Sequence, residues 1–117
     1  MAKVAFICNG SENSNLYPAF ILASSAAAAG DDVVIFFTPG GVPALRKGVL
    51  EGITGKGMPD MADLLMGVTA LGGKMMLCEL GLEAHDVTPE DLRDDIIITG
   101  ATTFMAEIQD ATNTFSF

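Results

Sequence analysis

Four short, mainly apolar runs recur along this chain of 117 residues, and a turn or a helix-forming stretch follows each of them. The runs cover residues 3–8, 32–38, 74–78 and 95–99. Continuous apolar runs of this length are typical of strands that are buried on both faces of a parallel sheet. Their spacing indicates a fold in which strands and helices alternate.

Helix signals separate these runs. A first helix is predicted to start near Pro18, because proline fits the first turn, and to stop at Gly30. Asp60 is predicted to cap a second helix, with Asp63 three residues later in a box-like arrangement. The last helix is predicted over residues 100–113, with a buried face formed by Phe104, Met105, Ile108 and Ala111.

The segments between these elements are also assigned. Residues 42–47 are predicted as a short helix and residues 48–59 as a glycine-rich loop. Residues 79–86 are predicted to be irregular, and a brief helix follows Thr88. Residues 114–117 either add a closing strand or pack their phenylalanines on the core. The alternation predicts a single domain of the α/β class, whose parallel sheet of four to five strands is covered on both faces.

Fifteen acidic residues against six basic ones give the chain a formal net charge of −9. A field of this sign repels phosphate backbones, and no basic stripe with interleaved aromatic residues offsets it, so nucleic-acid binding is not expected. The most apolar stretch, residues 18–30, is shorter than the roughly 20 residues of a membrane span. With no export signal and only two cysteines, the expected compartment is the cytoplasm, where thiols stay reduced.

Both cysteines lie where a predicted strand ends, Cys8 after the first and Cys78 after the third. Ligands bind beyond the carboxyl ends of the strands in open parallel sheets, which makes Cys78 the leading candidate for a functional thiol. A buried cysteine that only fills space is the alternative for either residue. Backbone amides from Glu79 to Gly81 would stabilise a thiolate, whereas the Glu79 carboxylate, if close, would raise the pKa of the thiol.

The remaining candidates are a single histidine and one basic pair. His85 either forms a dyad with Cys78 or is an exposed capping imidazole. Arg46 and Lys47 either attract an anionic sulfur donor or a partner, or lie on a solvated helix face. Two cysteines and one histidine have no metal-ligand spacing, so neither a metal nor another cofactor is expected.

Three groups of short motifs follow one another along the chain. The first is VIFFT at residues 34–38 with GVPALRK at 41–47, and the second is MPDM at 58–61 with Leu64 and Leu65. The third is KMMLC at 74–78, followed by GL at 81–82, TPEDL at 88–92 and GAT at 100–102. In this order, and over nearly the whole chain, the motifs resemble the DsrE/DsrF-like family of small sulfur-relay proteins.

The resemblance implies a flavodoxin-like, three-layer α/β/α sandwich over residues 1–117 that assembles into homo-oligomers such as trimers or hexamers. In members of the family that have a cysteine at the position of Cys78, this cysteine carries sulfur as a persulfide and exchanges it with TusA-like or rhodanese-like proteins, so the resemblance implies this role for Cys78. Two departures stand out. Some relatives have a second cysteine a few residues later, which residues 79–87 lack, and Cys8 is not at a position associated with the family's chemistry.

The leading hypothesis is therefore a cytosolic sulfur carrier, or sulfurtransferase, that holds sulfane sulfur on Cys78 and passes it to a partner thiol. One alternative is a non-catalytic module that binds a nucleotide or a small anion at the carboxyl edge of the sheet. Another is a thiol redox protein in which Cys8 and Cys78 form a pair, which requires Cα atoms within about 7 Å.

Overall fold

Five strands form one sheet in the order β4-β3-β2-β1-β5, and every neighbouring pair is parallel. The computed structural model describes residues 2–117. The strands are β1 (Lys3–Cys8), β2 (Asp32–Phe37), β3 (Lys74–Cys78), β4 (Ile96–Thr99) and β5 (Asn113–Ser116). This arrangement confirms the predicted α/β class and flavodoxin-like parallel sheet, including the fifth strand.

Four α-helices and three short 3-10 segments connect the strands. The helices are α1 (Asn13–Ala28), α2 (Met61–Thr69), α3 (Leu80–Ala84) and α4 (Ala101–Glu107). The 3-10 segments are Pro39–Leu45, Leu50–Gly52 and Pro89–Asp91. Among the described residues, no helix has the length and apolar character that crossing a membrane requires.

The first helix begins five residues before Pro18, at Asn13. Glu12 and Asn15 form a capping box there, and the Glu12 N–H donates to Asn15 Oδ1 at 3.3 Å. This box satisfies amides at the start of the helix, so Pro18 lies inside the helix instead of opening it. The predicted stop is confirmed, because Gly30 has a φ of +93°.

Other local predictions were wrong. Residues 80–84 form a helix where irregular chain was predicted, and residues 39–45 form a 3-10 segment that starts earlier than the predicted helix. Asp60 is the N-cap of α2, as predicted, but its side chain makes no cap hydrogen bond, so the box-like arrangement with Asp63 is not formed. The last helix ends at Glu107, because the chain must turn back to β5, where the Thr112 N–H donates to Lys3 O at 2.9 Å.

One face of the sheet carries the main core. Alternate strand residues, among them Phe6, Cys8 and Phe37, pack there against α1 and α2. The rings of Phe37 and Phe20, which lies on α1, have centroids 6.2 Å apart. We call this side the α1 face.

The opposite face is covered much less. α4 crosses it, and Phe104 is the one buried residue of this helix. The Phe104 ring stacks on Phe36 of β2 with centroids 4.3 Å apart and planes 15° from parallel. Met105, predicted to be buried, is 59% exposed. We call this side the α4 face; its small buried cluster contains Ala5, Val34, Phe36, Met76, Cys78 and Phe104.

Arg93 joins the segment before β4 to the segment after β2. Its guanidinium donates to both carboxylate oxygens of Glu51 at 3.0 Å and to Asp95 Oδ1 at 2.6 Å. The Arg93 N–H donates to Leu45 O at 3.1 Å. Because the Arg93 side chain is only 10% exposed, its stem also packs against the protein.

Replacing Arg93 by methionine is expected to lower the free energy of unfolding by about 1 to 2 kcal/mol at pH 7. The hydrogen bonds from Arg93 hold the pKa of Glu51 below its ordinary value. This contribution is present above the unfolded pKa of about 4.3 and is lost as the pH falls through the folded value. The difference between the two proteins should therefore narrow towards about pH 3.

Urea unfolding of both proteins at the two pH values measures this effect. Arg46→Met is the matched control, since Arg46 is exposed and forms no ion pair among the described residues. A difference between Arg93→Met and the parent that stays constant from neutral to acidic pH would contradict the role of the Glu51 carboxylate.

Candidate functional site

Cys78 is the last residue of β3 and lies at the carboxyl edge of the sheet. Its side chain belongs to the cluster on the α4 face and is a free thiol that is 5% exposed. The buried strand that precedes it, Lys74–Leu77 in sequence, fixes its position because Leu77 packs in the core of the other face. The structure therefore has a thiol at the carboxyl edge, under the thinner of its two covers.

Polar side chains flank Cys78 on the neighbouring strands. Thr99 is its register partner on β4, so the two side chains share a face of the sheet. On the other side, Phe37 is opposite Leu77, and Thr38 follows it. The Thr38 hydroxyl donates to Asn9 Oδ1 at 2.6 Å. Thr99, Cys78, Thr38 and Asn9 thus stand at or just beyond the carboxyl ends of four adjacent strands.

Cys8 differs from Cys78 in its surroundings. It ends β1 and points into the α1 face, where it is fully buried. Its Sγ donates to Gly10 O at 3.4 Å, and burial raises the pKa of the thiol. A thiol with a raised pKa and no exposure is a poor nucleophile. These contacts are those of a structural cysteine.

The two cysteines are too far apart to form a pair. β2 lies between β1 and β3, so two strand spacings, or about 9.6 Å, separate the strands that carry the cysteines. Their side chains also point to opposite faces. A Cys8–Cys78 disulfide would therefore need the sheet to be taken apart.

Glu79 and Gly81 connect Cys78 to the rest of the carboxyl edge. The Glu79 N–H donates to Thr99 O at 2.9 Å, and the Glu79 carboxylate lies beside Gly100, exposed. A Cβ on Gly81 would lie 3.0 Å from Pro39 Cα and would clash with Val42. The lack of a side chain at Gly81 therefore lets α3 pack directly on the 3-10 segment that follows β2.

His85, Arg46 and Lys47 are all exposed and lie away from Cys78. His85 is at the far end of α3, about 9 Å along the helix axis from Glu79. Arg46 and Leu92 form an isolated antiparallel β-bridge through their backbones. The Lys47 backbone N–H donates to Asp91 O at 3.1 Å. Residues 91–92 lie shortly before the amino end of β4. The length of β4, about 13 Å, separates that end from the edge of the sheet that holds Cys78.

Exposed apolar side chains occur on the elements around Cys78. Leu80, two residues after it, is 71% exposed, and Ile97 and Met105 are also exposed. Ile97 lies opposite Met76 on the α4 face.

Several clefts lie away from Cys78. One of about 440 Å³ is formed by the first turns of α1, including Tyr17 and Pro18, and by Lys56 and Met58. One of about 330 Å³ contains Lys47 and the Arg93 cluster. Within residues 2–117, no group of three or more His, Cys, Asp or Glu residues is arranged to hold a metal ion.

The rule that ligands bind beyond the carboxyl ends of the strands also selects the turns that begin at Thr38 and Thr99, although neither threonine is predicted as a site residue. Each stands at the end of its apolar run, at the same level as Cys78, once the strands are aligned. The common feature in the sequence is that both runs end in threonine, but only the register shows that both flank the same thiol.

Two solved structures have a fold similar to that of this protein. The fold is similar to the crystal structure of the YchN protein from E. coli, with a TM-score of 0.81, 20% sequence identity and full coverage of both chains. It is also similar to MTH1491, a protein of unknown function from Methanobacterium thermoautotrophicum, with a TM-score of 0.75, 13% identity and coverage of 98% and 99% of the two chains. No curated protein matches the sequence.

At these identities the two structures support the fold alone. The model of the DsrE/DsrF-like family matches residues 2–117, nearly the entire chain, as the motifs from VIFFT to GAT predicted. The chain therefore belongs to the DsrE/DsrF-like family.

Proposed function

We propose that this protein is a cytoplasmic sulfur carrier that holds sulfane sulfur as a persulfide on Cys78 and passes it to the thiol of a partner protein. The family is associated with sulfur relay. The observation that carries the proposal is the position of Cys78 at the carboxyl edge of the sheet, on the side opposite the fully buried Cys8. Of the two thiols, only Cys78 is near a surface that another protein can reach.

The proposed transfer consists of two thiol exchanges. The Cys78 thiolate attacks the outer sulfur of a donor persulfide, the donor's S–S bond breaks, and the donor leaves as a thiolate with the electron pair. The acceptor thiolate then attacks the outer sulfur on Cys78, and Cys78 leaves as a thiolate. No net oxidation occurs, so the reaction needs no cofactor.

We infer that the acceptor or donor is a TusA-like or rhodanese-like protein and that the chain forms homo-oligomers such as trimers or hexamers. The exposed side chains of Leu80, Ile97 and Met105 support contact with protein at this face. The net charge of −9 favours a partner whose docking face is basic.

The two alternative functions have less support. A redox pair of Cys8 and Cys78 would need cysteines that β2 does not separate. A nucleotide or anion site would need open backbone at the carboxyl edge. There, a Cβ on Gly40 would lie 2.6 Å from Asn9 O, and one on Gly41 would lie 3.3 Å from Cys8 O. Gly40 and Gly41 therefore allow close packing between neighbouring segments of the chain and leave no open backbone there for a ligand.

Treating the protein with polysulfide or a protein persulfide is expected to add the mass of one sulfur atom, and Cys78→Ser is expected to abolish this addition. Intact-mass spectrometry and peptide mapping detect the added sulfur and its position. Cys8→Ser is the matched control and should load sulfur like the parent. Loading that persists in Cys78→Ser, or that disappears in Cys8→Ser, would overturn the proposal.

A further inference from the structure

Cys78 is a candidate nucleophile that the folded protein largely hides, since it is 5% exposed. An attacking thiolate needs direct access to the sulfur, along the line of the bond that forms. The elements over Cys78 must therefore move, or a neighbour must be displaced, before another protein can reach it. Cys78 shares a buried cluster with Phe104 of α4, so movement of α4 would expose the thiol.

α4 is held on the sheet by few contacts. It has seven residues, fewer than two helical turns, and Phe104 is its one buried residue. Beyond its end, Ile108 and Ala111 are partly buried against the same cluster. The residues on either side of Phe104 are exposed, and Met105 points to solvent. A short helix with one buried side chain has little packing energy of its own to keep it in place.

Hydrogen bonds and ion pairs from two lysines hold the C-terminal end of α4 on the sheet. Lys74 Nζ donates to Glu107 Oε1 at 2.8 Å, and Lys3 Nζ donates to Glu107 O at the same distance. Lys3 also lies 3.2 Å from Asp110 Oδ1. The contact with Lys74 lowers the pKa of the Glu107 carboxyl group, as expected for a favourable ion pair. Lys3 and Lys74 are the first residues of their strands, so this fastening lies at the edge of the sheet opposite Cys78.

We propose that α4 is a hinged cover over Cys78, closed by the stack of Phe104 on Phe36 and latched at its far end by Glu107 on Lys74 and Lys3. Opening of the cover exposes Cys78 and leaves the α1 face folded. The cover rests on the proposed function for its purpose, since it controls access to the sulfur-carrying thiol. Whether the cover opens can be tested separately from sulfur transfer, because the exposure of the Cys78 thiol is measurable without it.

The two cysteines report on the two faces independently. Cys78 reacts with an alkylating reagent when the α4 face opens, and Cys8 reacts only when the α1 face opens. When opening and closing are fast, the alkylation rate of each thiol is proportional to the fraction of molecules in which it is open. The ratio of the two rates therefore separates movement of α4 from unfolding of the whole chain.

The test uses the full-length protein with iodoacetamide at fixed neutral pH and low salt, with both thiols followed by mass spectrometry. Glu107→Gln removes the charge of the latch and is expected to raise the Cys78 rate about two- to five-fold, the value of one half-exposed ion pair. Lys74→Met should act in the same direction. Glu90→Gln is the matched control, because Glu90 is exposed and forms no ion pair among the described residues.

Salt provides a second measurement on the same proteins. Raising the salt concentration screens the ion pairs of Glu107, so Cys78 reactivity should rise more in the parent than in Glu107→Gln, which keeps only the Lys3–Asp110 pair at this end of α4. Equal rates in the parent, Glu107→Gln and Lys74→Met would overturn the cover, and so would parallel increases at Cys8 and Cys78. Faster alkylation of Cys78 without any sulfur loading would support the cover and contradict the sulfur carrier.

Discussion

Replacing Phe37 by alanine is expected to lower the free energy of unfolding by about 3 to 5 kcal/mol. Phe37 is fully buried at the end of β2 and packs on Phe20 of α1. Its ring also supports the next segment, since a Cβ on Gly41 would lie 3.1 Å from Phe37 Cδ1. The cavity would therefore loosen the sheet, α1 and the 3-10 segment together. Such a loss is a large share of a typical stability of 5 to 15 kcal/mol.

Urea unfolding of the purified variant measures this loss. Phe115→Ala is the matched control: Phe115 stacks on Phe6 at 5.5 Å but is 43% exposed on the edge strand β5. Its replacement should cost clearly less, about 1 kcal/mol. Equal losses at the two positions would mean that the burial of the ring does not set the cost of removing it.

Replacing Phe104 by alanine should change both stability and reactivity. The stack on Phe36 disappears, and with it the one buried side chain of α4, at an expected cost of about 3 kcal/mol. Because Phe104 shares its buried cluster with Cys78, most of the lost stability should appear as easier opening of the proposed cover. The alkylation rate of Cys78 is then expected to rise more than about ten-fold, while the rate of Cys8 changes little.

Phe37→Ala is the matched control for this second effect. Both variants remove a buried phenylalanine ring, but from opposite faces of the sheet. Phe37→Ala should therefore raise the alkylation rate of Cys8 at least as much as that of Cys78. If Phe104→Ala accelerates both thiols to the same extent, α4 does not open separately from the rest of the chain.

The strands could be predicted because each is a continuous apolar run with a clear stop. The helices were harder, and α3 shows why. Its five residues have no strong pattern, and the helix depends on Gly81 packing against Pro39 and Val42, which are about forty residues away. The start of α1 was placed too late because the capping box of Glu12 and Asn15 overrides the usual position of proline in the first turn.

The candidate site shows a similar division. Position at the end of an apolar run is enough to place Cys78 at the carboxyl edge. The same rule also selects Cys8, and only the alternation of side chains within an assembled sheet shows that the two thiols face opposite ways. Arg46 and Lys47 follow a strand that ends near Cys78, but the chain carries them towards the opposite edge, a path that depends on contacts with residues 91–93.

The position of β5 has a consequence for aggregation. The outer edge of β1 is apolar, and its backbone would be free to pair with other chains if β5 were absent. β5 covers this edge with exposed and mainly polar residues, and the chain end continues the pairing where the Phe117 N–H donates to Ile7 O at 2.8 Å. β5 adds little to the core, yet it keeps a strand-forming apolar segment from templating aggregates. Any opening of α4 that also released β5 would lose this protection.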